Sequence, residues 1–278
     1  MVLTDSETAF VLENVEVQHL QQQVRAYGQL AQREGVRTIA VPGGIAAMTD
    51  PAFGRKLNHV TGLGMGASVT SESMATLEQA YFQSGLAVEI DLCPHAHPSA
   101  LAVLAERGYA VNAFSNTYAR MLTDDDLDFV PDAAIEVVTD RAAIDKSFLE
   151  YCIAGFSVQA TRRAPELLEA LARIAATRMD TTLFLAKSGA EIAGSAGMSV
   201  FDTPIGKVAH LYIASTLEAF RGRGIQSALL RARFAAARRV GCVMACLAAR
   251  PSNSSARNAE RSGFKLAYTK STFVKARS

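Results

Sequence analysis

A chain of 278 residues has room for about two domains. Its 49% hydrophobic and 20% charged residues are the balance of a soluble globular protein. A net charge of +1 excludes any bulk electrostatic pull toward nucleic acid or an anionic membrane, so a basic function has to be local. Four scattered cysteines, Cys93, Cys152, Cys242 and Cys246, exclude a disulfide framework, and no apolar run reaches the roughly 18 residues that span a bilayer. Cys242 and Cys246 lie in an apolar run and read as core thiols; with His210 they make no zinc spacing, so no metal is expected. Met1–Glu7 holds no basic region followed by an apolar stretch, which makes the cytoplasm the expected compartment.

Within the first half, Leu57–Gly64 predicts an apolar strand. Gly62, Gly64 and Gly66 alternate through and past it, a pattern that points to close packing or bending. Met65–Thr70 then leads into a predicted helix, Ser71–Gln83. Leu86–Cys93 predicts a second strand, running into Pro94. His95 and His97, flanked by Pro94 and Pro98, read as a surface loop and not as metal ligands. A helix carrying Ala105-Glu106-Arg107 stops at Gly108, and Tyr109 opens a strand, a turn and another strand.

That last pattern returns near the C-terminus. Ala259-Glu260-Arg261 leads to Gly263, and Phe264 opens the same expected strand, turn and strand. Each copy follows an apolar strand that runs into a proline-containing loop, Cys242–Ala249 before Pro251 in the second case. The repetition predicts two copies of one fold. Between them, Thr123–Asp128 is an acidic run followed by Pro131, the composition of a solvated linker. The expected domains are therefore 1–125 and 131–278.

In the second half, Ala134–Val138 predicts a strand, and Ala142–Ala154 and Pro165–Thr177 predict helices, with Pro165 at a first-turn position that needs no amide. Thr182–Lys187 and Glu191–Val200 form an expected hairpin about Gly189-Ala190. Lys207–Ala214 is a strand and Gly224–Val240 a helix stopped by Gly241. The fold class expected is α/β of the mixed α+β kind, a largely antiparallel sheet flanked by helices, with one parallel crossover through the Gly224–Val240 helix.

Arg221-Gly222-Arg223-Gly224-Ile225-Gln226 joins that strand to that helix. A strand, glycine turn and helix direct several unpaired amides at one spot, backed by the positive end of the helix dipole. Glycines let an anion approach the backbone. Arg221 and Arg223 add charge, and Arg231, Arg233, Arg238 and Arg239 continue it as an apparently solvated helix face. Pyrophosphate is the natural guest. A P-loop would need Gly-Lys followed by Ser or Thr, and a dinucleotide fingerprint would need a third glycine and a downstream acid. A plain glycine-rich connection is the structural alternative.

Arg221, Gly222 and Gly224 at this junction resemble the phosphate-binding turn of the GNAT superfamily of acyltransferases, Gln/Arg-x-x-Gly-x-Gly/Ala, and the order of elements agrees over Ala134–Lys275. Gln226 departs from the pattern, standing where the family has Gly or Ala. The resemblance implies acetyl-CoA, or another acyl-CoA, as co-substrate. It assigns the pyrophosphate to the amides of Arg221, Gly222, Arg223, Gly224, Ile225 and Gln226, and the pantetheine arm to the backbone at Ala214 and Thr216. Asn253, with Ala256, matches the family's Asn-x-x-Ala helix, whose asparagine touches the cofactor.

The implied reaction is transfer of an acetyl or short acyl group to an amine of a small molecule by direct attack. His210 occupies the strand position where related enzymes place a glutamate base, and an imidazole titrates near neutrality. The family's tyrosine acid falls on Ala259 and is missing; Tyr212 and Tyr268 are candidate substitutes, and Glu218 is a weaker base candidate. The first half resembles the same fold without the motif: Met65–Thr70 has no arginine and no Gly-x-Gly turn, and Glu72 would repel phosphate. Three other readings stay open: a non-catalytic acyl-CoA-binding regulator, a tandem scaffold in which neither half binds CoA, and an acyltransferase acting on a peptide or protein amine. No nucleic-acid or membrane partner is expected, and a homodimer stays open.

Overall fold

The structure is a computed structural model that describes residues 4–128, 134–157 and 164–275. It divides into two compact units: Met1–Tyr118 with Ala248–Ala256 and Leu266–Ser278, and Ala119–Leu247 with Arg257–Lys265. The Pro131 end of the expected linker lies outside the described residues. No described helix is long and apolar enough to cross a membrane.

The first unit begins with helix α1 (Ser6–Ala31), whose start is fixed by Asp5: its carboxylate accepts from the Thr8 amide at 2.7 Å. Strands β1 (Arg37–Val41) and β2 (Gly44–Met48) form a tight hairpin. Then come β3 (Val60–Thr61), helix α2 (Ser71–Gln83), β4 (Val88–Leu92), helix α3 (Pro98–Glu106) and β5 (Ala110–Met121). Strands β3 and β4 are parallel across α2.

The second unit starts at β6 (Ile135–Val138), followed by α4 (Arg141–Ser157), α5 (Pro165–Thr177), β7 (Thr181–Ser188), β8 (Glu191–Thr203) and β9 (Gly206–Thr216). Helix α6 (Ile225–Arg239) and most of β10 (Cys242–Ala249) complete it, and the residues of α7 (Ser254–Arg261) are divided between the two units. Its strands run in the order β10-β9-β8-β7-β6, antiparallel except for the β10–β9 pair. The parallel pair spans α6, as expected. Phe148, Cys152, Ala172, Leu183 and Leu185 form the core between the α4–α5 pair and the sheet.

The last strand, β11 (Lys265–Lys275), pairs antiparallel with β4, from Ser271↔Leu92 to Lys275↔Val88. Phe273 joins the apolar core of the first unit with Leu77, Tyr81, Val88 and Ile90. Beside it lies a buried polar cluster. Lys270 is paired with Glu13 at 2.8 Å, and the Tyr268 hydroxyl donates to the same carboxylate at 2.7 Å.

Three sequence expectations need correction. The strand expected over Leu57–Gly64 is only Val60–Thr61, because Gly62, Gly64 and Gly66 all take left-handed backbone, with φ of 76°, 77° and 72°. The bending reading of those glycines holds. Packing at the hairpin is also close: a Cβ on Gly44 would meet the Thr61 carbonyl oxygen at 2.0 Å. Second, the strand, turn and strand expected after Gly108 and after Gly263 are single strands, β5 and β11. Third, the arginines of α6 share no solvated face. Arg233 is 2% exposed, on the apolar face with Leu229, Leu230 and Phe234.

Candidate functional site

The site is built where β9 changes its pairing. Up to Tyr212 the strand follows β8 in register, Ser199↔His210 and Gly197↔Tyr212; it resumes at Ser195↔Ser215 and Gly194↔Thr216. Ile213 and Ala214 therefore face Ala196 together, a β-bulge. Ile213 carries φ 48°, a costly left-handed conformation for a β-branched residue. Gly197 makes room for it, since a Cβ there would lie 2.9 Å from Ile213 Cγ2. On its other edge, the ladder with β10 ends at Cys246↔His210, while β9 itself runs on to Thr216. His210 is thus the last residue held from both sides, and Ala214 and Thr216 lie beyond it.

His210 is 5% exposed, with Nδ1 3.6 Å from the Cys246 sulfur and its ring stacked on Tyr212 at 6.0 Å. The register brings hydroxyls to the same row: Thr181 faces Ser199, which faces His210. Thr181 Oγ1 is 2.9 Å from Ser199 Oγ and 2.7 Å from the Tyr212 hydroxyl. The Arg178 guanidinium donates to Ser199 Oγ at 3.2 Å and to Asp180 at 2.6 Å. Burial raises the Tyr212 pKa, against the opposing effects of Arg178 and the hydroxyl hydrogen bonds, so the phenol stays protonated at neutral pH. Sequence reasoning missed Arg178, Thr181 and Ser199. They belong to no motif, and only the register of three strands brings them together.

Past Thr216, a 3₁₀ turn at Glu218–Phe220 leads to Arg221. Gly222 and Gly224 take φ of 75° and 81°, and α6 begins at Ile225 with no side chain capping its first turn. The amides of that turn have no partner within the helix and carry its positive dipole end. Among the described residues, nothing lies within 4 Å of a Cβ built on Gly222, and Ile135 Cδ1, at 3.8 Å, is the one atom near a Cβ built on Gly224. Phe220 and Ile225, buried at 8% and 2% exposure, anchor the two ends of the turn.

Arg221 lies 3.9 Å from the carboxylate of an exposed Glu218 and keeps 39% of its side chain in solvent, while Arg223 lies over the Phe220 ring at 5.4 Å. Gln226 donates from Nε2 to Thr216 Oγ1 at 2.8 Å. Open glycine backbone, uncapped amides and two nearby cations fit a pyrophosphate.

The corresponding helix start in the first unit carries a side-chain cap. Thr70 caps α2 by accepting from the Ser73 amide at 3.1 Å, and Ser73 Oγ accepts in return from the Thr70 amide at 3.2 Å. The Ser73 amide is thereby taken by the chain's own side chain.

The remaining sequence candidates have contacts of their own. Asn253 belongs to the first unit, where its Oδ1 accepts from the Ala256 amide at 2.7 Å and caps α7. Tyr268 belongs there too, committed to Glu13. Ala259, at the position of the absent tyrosine, is 0% exposed. All four cysteines are buried, and none forms a disulfide.

Residues 146–264 match the model of the Acetyltransferase (GNAT) family. No match to the sequence was found among curated proteins. Among solved structures, the chain is similar to a GCN5-related N-acetyltransferase from Kribbella flavida, 16% identical over 92% of this chain and 96% of that one, with a TM-score of 0.62. A functionally unknown conserved protein from Staphylococcus epidermidis is 11% identical over 86% and 93%, TM-score 0.60. A tandem GNAT protein from the clavulanic acid biosynthesis pathway is 16% identical over 88% and 82%, TM-score 0.59. At these identities the likeness is one of fold.

Proposed function

With residues 146–264 forming a GNAT-family acetyltransferase domain, we propose that the protein is an N-acyltransferase carrying an acetyl or short acyl group from acyl-CoA to an amine of a small molecule. The observation that carries this reading is the contrast between two helix starts. Helix α2 is closed by its own capping box, whereas α6 opens on Gly222 and Gly224 with no side-chain cap. At the second helix start no amide is taken by a side-chain cap, and two left-handed glycines leave the backbone open to an anion. Acyl-CoA binding therefore resides with Arg221–Gln226, and the first unit is a copy without that capacity.

In this reading the amides of Gly222–Gln226 take the pyrophosphate, and the backbone of β9 at Ala214 and Thr216, past the bulge, takes the arm. Asn253 is assigned to the cofactor by the family resemblance alone. The amine nitrogen attacks the thioester carbonyl; a C–N bond forms and the C–S bond breaks. His210 accepts the proton lost by the amine, directly or through a water, and the departing sulfur is protonated in turn. Holding amine and carbonyl together supplies much of the rate.

Release of free CoA thiol from acetyl-CoA over a panel of small amines tests the proposal. A turnover that depends on the amine supports it. Turnover only with a peptide amine would move the acceptor class. Thermal stabilisation by acetyl-CoA with no thiol release from any amine would favour a non-catalytic acyl-CoA-binding protein, a reading that the buried alanine at position 259 keeps in view.

A further inference from the structure

We infer that the Gln226 side chain is a positioning residue that staples the base of the phosphate turn; this rests on the acyl-CoA reading above. Gln226 stands on the first turn of α6, where the resemblance expects Gly or Ala. Thr216 is the last residue of β9. Their hydrogen bond, 2.8 Å long, joins positions ten residues apart and closes a loop that contains all of Arg221–Gly224. Inside that loop, Arg221, Gly222, Arg223 and Gly224 are exposed, and both glycines hold left-handed backbone.

A segment of this kind loses much conformational freedom when it closes on an anion, because glycines have the most to lose. Fixing its two ends before the ligand arrives removes part of that cost. The buried side chains of Phe220 and Ile225 fix its flanks. The Gln226–Thr216 bond fixes its base, and it also sets the first turn of α6 against the end of β9. The departure from Gly or Ala thus has a use, since the side-chain amide is spent on Thr216 and not on the phosphate.

The test measures acetyl-CoA dissociation constants by calorimetry, with kcat and KM, for Gln226→Met, Thr216→Val, their double variant and Thr216→Ser. Losing one neutral hydrogen bond is expected to weaken acetyl-CoA about 3- to 10-fold in either single variant. The double variant is expected to be no worse than the singles, because both remove the same bond. The loss should fall on KM and not on kcat, and Thr216→Ser, which keeps the hydroxyl, should restore the affinity. 3′-Phosphoadenosine 5′-diphosphate, which has the phosphates without the arm, should weaken in parallel, and acetyl-pantetheine, the arm without phosphates, should not.

Unchanged or tighter acetyl-CoA binding by Gln226→Met would overturn the inference, as would additive losses in the double variant. Wild-type protein that binds no acetyl-CoA would instead sink the acyl-CoA reading, and this inference with it.

Discussion

Nδ1 of His210 lies 3.6 Å from the Cys246 sulfur, and the two residues form the last pair of the β9–β10 ladder. The imidazole is therefore carried by the last β9 residue paired on both edges, three residues before the bulge at Ile213 and Ala214. His210, proposed above as the base, lies eleven residues before the turn that begins at Arg221.

Removing it separates catalysis from binding. His210→Ala is expected to lower kcat about 10²–10⁴-fold, the usual contribution of a general base. Acetyl-CoA affinity, measured by calorimetry, should change little. Wild-type activity should fall on the acid side as the base becomes protonated, and this limb should be missing from the variant. Equal losses of folding stability and cofactor binding would mark the histidine as structural.

Gly224→Asp tests the turn itself. Gly224 holds φ 81°, and the space around its missing side chain is open except for Ile135 Cδ1 at 3.8 Å. An aspartate there brings backbone strain and a carboxylate to the position proposed for pyrophosphate. Wild-type protein at a hundredfold excess of acetyl-CoA over its dissociation constant should gain about 2.7 kcal/mol of stability. In a thermal melt the variant should lose that gain; a variant that keeps it places the phosphates elsewhere.

Much of this was legible in the chain because the signals are local. Gly108, Gly241 and Gly263 end helices with left-handed backbone, and Arg221–Gly224 is a contiguous turn whose shape follows from its glycines. What stayed hidden depends on partners distant in sequence. The row of Thr181, Ser199 and His210 requires the register of β7, β8 and β9, and the pairing of β11 with β4 joins residues from opposite ends of the chain. Arg233 is an instructive miss. Counted at helical period, Ile225, Leu229 and Arg233 fall on one face, so the sequence did place this arginine with the apolar residues.

Its burial yields the next prediction. Arg233 is 2% exposed, and its recorded bonds go to carbonyls, Leu229 O at 3.0 Å and Gly197 O at 3.5 Å. Burial pulls its pKa down to about 9, the mark of a charge that gains little from its surroundings. Arg233→Met keeps a long flexible stem and removes the desolvated cation. Stability without ligand is expected to stay level or rise by about 1 kcal/mol, read from urea unfolding. A loss of more than about 2 kcal/mol would show that the two carbonyl contacts outweigh desolvation.

Glu78, on α2, supplies a pH prediction for the first unit. Its carboxylate accepts from Arg107 at 2.8 and 2.9 Å, from Lys275 at 3.0 Å and from Tyr109 at 3.1 Å. Burial works to raise its pKa, but the hydrogen bonds from Arg107, Lys275 and Tyr109 outweigh it and bring the group down from 4.5 to about 2. The folded state thus prefers the ionised form more strongly than the unfolded chain does. That preference adds stability fully above about pH 4.5 and loses it as the pH falls from there through 2. Glu78→Gln should cost about 1–3 kcal/mol at pH 7, the scale of hydrogen bonds to a charged group. Chemical unfolding of both proteins between pH 7 and pH 2 checks this: the gap between them should hold to about 4.5 and then narrow steadily. A gap that stays constant down to pH 2 would mean that Glu78 contributes through shape alone, and that Arg107 and Lys275 are indifferent to its charge.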